Sequence, residues 1–147
     1  MLEECKLKKI IGLLTISIVL ILAGCGGTGT SKGKEPTVDD IVQAFKDADL
    51  EVGEVTEMDK KEFGDARKEG KRVLIPSLGD DAGGRLMSFD KEKDLETTKA
   101  YYVDLGKSGP MFFSHTHQSG QFLLQMNGEM EDAEFEKYMK AMDGVIK

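Results

Sequence analysis

The residues in this chain that could catalyse a reaction, bind a metal or carry a modification are two histidines, two cysteines, scattered serines and a set of methionines. His115 and His117 flank Thr116. On a strand, side chains two apart share a face, so the pair could hold one metal ion, but a third ligand would have to come from elsewhere and no spacing indicates one. If Gln118-Ser119-Gly120 is a three-residue hairpin loop with Gly120 left-handed, His117 pairs with Gln121 and His115 with Leu123. In that register Phe122, Leu124 and Met126 face the core with Phe112, Ser114 and Thr116. Both histidines then point outward, as an interaction surface and not a metal site.

The other candidates have equally plain readings. Ser77, Ser88, Ser114 and Ser119 lie in no G-x-S-x-G elbow. GDDAGGR (79–85) matches neither a Walker loop nor a G-x-G-x-x-G fingerprint, and it leads into a strand, so no helix N-terminus is available to hold phosphate. Asp80 and Asp81 would repel phosphate, and their spacing is not that of a calcium loop. The carboxylates belong to solvated faces, and a sugar cleft would want the tryptophan that the chain lacks. Met126, Met130, Met139 and Met142 recur at core-facing spacings and fill gaps rather than line a copper site. No catalytic residue, metal or cofactor is expected, and the chain is read as a non-enzyme.

The cysteines point to processing. Lys6, Lys8 and Lys9 precede an uncharged run, IIGLLTISIVLIL, from Ile10 to Leu22. That run is shorter than the roughly 20 residues a membrane span needs and has the length of a secretory h-region. Ala23, Gly24 and Cys25 follow. Leu-Ala-Gly-Cys resembles the bacterial lipobox. The resemblance implies that Cys25 takes a diacylglyceryl group through a thioether and that a signal peptidase cuts between Gly24 and Cys25. Two acyl chains would then anchor the protein in the lipid bilayer, where one chain binds only reversibly. Residues 1–24 become the signal peptide, Cys5 leaves with it, and no free thiol or disulfide remains.

Formal net charge is −7 for the whole chain, and the signal peptide would remove more lysines than glutamates. An acidic domain offers no general grip on nucleic acid and is repelled by an anionic membrane surface. Residues 25–36 hold the lipidated cysteine and a Gly/Ser/Thr/Lys tether, GGTGTSKGKEP, spanning an r.m.s. distance of about 20 Å as a random coil. The expected address is the extracytoplasmic face of the cell membrane.

The elements that position these residues follow within a single domain, 37–147. Thr37 with Asp40 forms a capping-box pattern, and Val38, Ile41, Val42 and Phe45 recur at helical spacing up to about Ala48. Leu50 to Val55 reads as a strand with a bend at Gly53, and a short helix is expected near Asp59 to Phe63. Arg72–Leu78 reads as a strand that Pro76 places at a bulge, an edge or an end. Residues 79–84 turn the chain into a second arm, Arg85–Phe89. Asp90 is expected to cap a helix from Lys91 to Leu105, with Gly106 ending it. Met111–His117 and Phe122–Met126 form a second hairpin, and Met130, Phe135, Tyr138, Met142 and Ile146 mark a last helix. The order predicts an α+β fold: a mostly antiparallel sheet of about five strands with helices packed on one face, a two-layer sandwich.

From Ile41 to Lys147 the sequence resembles small lipoproteins of low-GC Gram-positive bacteria, of Bacillus and Listeria type, often labelled "stress protein" or "lipoprotein". The likeness rests on AFKDADLEVGEV (44–55), LIPSLGDDAGGRLMSFD (74–90), KDLETTKAYYVDLG (93–106), MFFSHT (111–116) and QMNGEM (125–130). It carries no catalytic signature, and the histidines of the His-Thr-His segment are not part of it. It implies a protein-interaction module with a partner in the cell envelope or the conjugation machinery, since some similar lipoproteins exclude redundant conjugative transfer. The alternative is a stress-related envelope lipoprotein that binds a small ligand or a cation.

Overall fold

The computed structural model describes residues 33–147; Gly24, Cys25, the signal peptide and most of the tether lie outside the described residues. Helix α1 (Val38–Asp47) begins where the sequence asks it to. The Thr37 side chain accepts from the Asp40 backbone N–H, and the Asp40 carboxylate accepts from the Thr37 backbone N–H. This closed box satisfies two of the donors that a helix start leaves unpaired. The apolar stripe Val38, Ile41, Val42 and Phe45 is buried.

Five strands follow: β1 (Val55–Glu57), β2 (Glu69–Leu74), β3 (Gly83–Ser88), β4 (Ser114–Ser119) and β5 (Phe122–Asn127). Between them lies helix α2 (Glu92–Lys107), and α3 (Asp132–Val145) ends the chain. The sheet runs β1-β2-β3-β5-β4 with every neighbouring pair antiparallel. The α+β class and the five-stranded antiparallel sheet are those expected from sequence. β2 ends at Leu74, and Pro76, which has no N–H to donate, opens a 3₁₀ turn over Pro76–Leu78.

The helices divide between the two faces of the sheet, which corrects the two-layer expectation. On one face α1 and α3 pack over Val73, Leu86, Phe122, Leu124 and Met126. There Phe45 meets Tyr138 edge-on at 5.1 Å, and the Tyr138 hydroxyl donates to the Glu51 carbonyl at 2.7 Å. On the other face α2 lays Leu95 and Tyr102 against Met87, Phe89 and Leu123. The physical cause is visible in β5, where Phe122 to Met126 are all buried. A strand apolar on both sides needs cover on both sides. Each large aliphatic side chain so buried contributes about 1.5–3 kcal/mol.

Three local expectations change. Asp90 does not cap α2; Lys91 is the N-cap residue, without a side-chain cap, and Asp90 pairs instead with Lys68 at 3.4 Å. Residues 59–66 form turns, not a helix: the Arg67 guanidinium donates to the carbonyls of Met58, Asp59 and Glu62 and holds the segment as a loop. Met111 and Phe112 belong to a 3₁₀ turn (Pro110–Phe112) and not to β4, and Phe112 is exposed rather than core.

Candidate functional site: a groove on the α2 face

α2 covers only part of its face of the sheet. Beside it a groove of about 590 Å³ is open, within the usual range for small-molecule sites of roughly 300–1,000 Å³. Its floor is a row of polar side chains that strand register brings together. Arg72 on β2 stands opposite Arg85 on β3, and Arg85 opposite Gln125 on β5. Ser114 on β4 completes the floor, its hydroxyl accepting from Gln125 Nε2 at 3.0 Å. Gln125 is 5% exposed, so its amide is fixed by neighbours and not by water.

The walls are aromatic. Tyr101 and Tyr102 come from α2, Phe63 from the 59–66 turns, and Met111, Phe112 and Phe113 from the 3₁₀ turn and the residue after it. Phe63 packs edge-on to Tyr101 at 5.3 Å and lies 5.8 Å from Tyr102. Gly128 lets the 110–113 segment lie close, because a Cβ there would sit 2.4 Å from the Phe113 carbonyl oxygen. Among the described residues, four of the five exposed large hydrophobic ones, Tyr101, Met111, Phe112 and Phe113, line this one groove.

The charges in the groove are organised around Arg85. Its Nη2 and Nε donate to Glu62 Oε1 at 2.7 and 3.1 Å, and its Nη1 reaches Gln125 Oε1 at 3.4 Å. Arg72 Nη2 donates to the Asp81 carbonyl at 2.7 Å. Burial pushes the Tyr102 phenol up to about 12, against the pull of Arg85, so that side chain stays neutral at physiological pH. Guanidinium, amide and hydroxyl groups beside aromatic walls form a set suited to holding a ligand.

The histidines lie elsewhere, and the outward expectation for them is corrected. β4 and β5 join through a two-residue connection, Gly120-Gln121, with Ser119 opposite Phe122 and Gly120 at φ 53°. His115 therefore pairs with Met126 and His117 with Leu124, on the α1/α3 face. One residue less in the loop turns every β4 side chain to the other face. His115 is 8% exposed, hydrogen-bonded through Nε2 to the Met130 carbonyl at 2.8 Å and stacked on Phe135 at 4.8 Å. His117 Nε2 meets Asp143 Oδ1 at 2.8 Å. Hydrogen bonding from His117, with a lesser one from Ser119, holds the Asp143 carboxyl below its ordinary value. Both imidazoles thus tie α3 to the edge strand β4. Among the described residues, no group of three or more His, Cys, Asp or Glu side chains is placed to hold a metal ion.

Of the earlier candidates the groove takes up Ser114, as an acceptor, and Asp81 to Arg85 of the GDDAGGR stretch; residues 79–82 connect the 3₁₀ turn to β3, and Gly83 and Gly84 already belong to β3. Gln125 carries a signal that sequence reading passed over, a polar residue inside the apolar run Phe122–Met126; Arg72 and Arg85 lie in strands of mixed composition and carry none. Compared with protein-family models, with curated proteins and with solved structures, the chain matches none. Among the described residues no helix is long and apolar enough to cross a membrane.

Proposed function

We propose that this protein is an extracytoplasmic, lipid-anchored binding module that acts without catalysis. Cys25, carrying diacylglyceryl, would hold it in the cell membrane, and the groove on the α2 face would receive a small ligand. The observation that carries the ligand-binding part is the in-register row Arg72–Arg85–Gln125 under aromatic walls. Concave shape, apolar walls and a few converging polar groups are the general marks of a small-molecule site. The anchor part rests on the lipobox resemblance at residues 22–25.

Two measurements test it. Globomycin treatment, or Cys25→Ala, is expected to accumulate the precursor; unchanged processing removes the anchor. Titration with phenol, a neutral aromatic probe, is expected to shift the amide resonances of Tyr101, Gln125 and Asn127 above all others; shifts scattered evenly over the surface remove the groove as a site. A protein-partner role, including the exclusion of conjugative transfer implied by the family likeness, is the second reading. It is favoured by Met111, 84% exposed at the rim beside Phe112 and Phe113. Expression in recipient cells that lowers no conjugation frequency would remove it.

A further inference from the structure

We infer that the groove selects a small aromatic or aliphatic carboxylate, and that Glu62 occupies the carboxylate position on Arg85 until such a ligand displaces it. The inference deepens the ligand-binding reading and rests on it.

Charge is the first support. The chain is acidic, with net charge −7, yet the groove is lined by three cations, Lys61, Arg72 and Arg85, against two carboxylates, Glu62 and Asp81. A local positive balance inside an acidic protein favours an anion there and disfavours cations. The second support is a carboxylate already in place. Glu62 Oε1 lies 2.7 Å from Arg85 Nη2, the geometry a guanidinium offers to carboxylates generally. The pair is not deeply buried, its side chains being 30% and 35% exposed, so exchange of one carboxylate for another costs little; exposed pairs are weak. Arg72 commits one nitrogen to the Asp81 carbonyl, which leaves its other donors to reinforce a bound anion. The third support is backbone strain next to Glu62. Phe63 has φ 59°, a left-handed conformation that is strained for a bulky residue and that gathers at ligand clamps and switch segments. Moving Glu62 off Arg85 therefore starts from a strained segment. The rest of the ligand would lie against Tyr101 and Phe112, which bring apolar area but no charge. The position on Arg85 is already held by a carboxylate, so a carboxylate ligand replaces like with like.

The test is a titration of the full chain in zwitterionic micelles with benzoate, benzamide and phenyl phosphate, read from the amide shifts of the groove residues. Benzoate is expected to bind at least tenfold tighter than benzamide and tighter than phenyl phosphate. Glu62→Gln removes the internal competitor and is expected to tighten benzoate about fivefold, the release of an ion pair near the upper end for exposed pairs. Arg85→Gln is expected to abolish saturable benzoate binding while leaving the phenol shifts in place, which also shows that the variant is folded. If benzamide binds as tightly as benzoate, or Glu62→Gln leaves benzoate unchanged, the carboxylate inference fails and the groove reading stands. If neither the neutral nor the anionic probes shift groove residues, both fail together.

Discussion

His115→Ala separates the observed strand register from the one that the sequence suggests. With a three-residue loop His115 would face water, and truncating it would change stability by no more than about 0.5 kcal/mol, the usual size for a surface change. In the observed register the ring is buried, bonded to the Met130 carbonyl, stacked on Phe135 and edge-on to Phe113 at 5.0 Å. Losing the hydrogen bond costs about 1 kcal/mol, and losing two aromatic contacts costs about 1 kcal/mol each. The expected loss is about 3 kcal/mol. For a domain of this size, with an unfolding entropy of about 2.1 cal/mol/K per residue, that is a fall in Tm of about 12 °C. Thermal unfolding followed by circular dichroism at neutral pH measures it, with Thr116→Ala on the opposite face as the comparison. Thr116→Ala is expected to cost less than a third as much. A loss below 1 kcal/mol for His115→Ala, or a larger loss for Thr116→Ala, would refute the register argument.

Alkaline pH is expected to destabilise the domain. Burial raises the phenols of Tyr102 and Tyr138 to about 12 in the fold, against about 10 in an unfolded chain. A raised pKa means full stability below pH 10 and a loss, on the order of 2 kcal/mol per tyrosine, as pH climbs from 10 to 12; Tyr102→Phe and Tyr138→Phe should each flatten that slope in urea melts. Asp143, held low by His117, works in the other direction. Its contribution is present above its unfolded value near 4 and disappears as pH falls through the folded value, so Asp143→Asn should cost about 0.5 kcal/mol at pH 6, the size of an exposed pair, and progressively less as acid protonates the carboxyl. Gly84→Ala is expected to cost at least about 2 kcal/mol, because a Cβ there meets the Gln125 carbonyl oxygen at 2.3 Å; a neutral result by chemical denaturation would contradict the close packing of β3 on β5.

What could be read from sequence was what short-range chemistry decides. The Thr37–Asp40 box, the chain reversal between β2 and β3 and the apolar stripe of α3 each depend on residues within a turn or two of one another. The readings that failed depend on distant partners. Asp90 looks like a cap but pairs with Lys68, which the strand β2 delivers to it. The 59–66 segment has helical composition, but Arg67 claims two of its carbonyls, those of Asp59 and Glu62, and that of Met58 just before it. One long-range feature did leave a trace: the unbroken run Phe122-Leu123-Leu124 signals a strand buried on both sides, and so helices on both faces.

By itself, then, the sequence determined the α+β class, the antiparallel hairpins, the acidic balance and the lipobox-like motif at Cys25, because periodicity, turn residues and local motifs are properties of adjacent residues. Only the tertiary structure decided which face each strand presents. That choice turns on one loop residue, and nothing in the alternation of β4 itself distinguishes the two outcomes. It moved both histidines under α3. It also set Arg72, Arg85 and Gln125, spread over more than fifty positions of sequence, side by side on three strands. A groove assembled from register becomes visible only once the strands are paired.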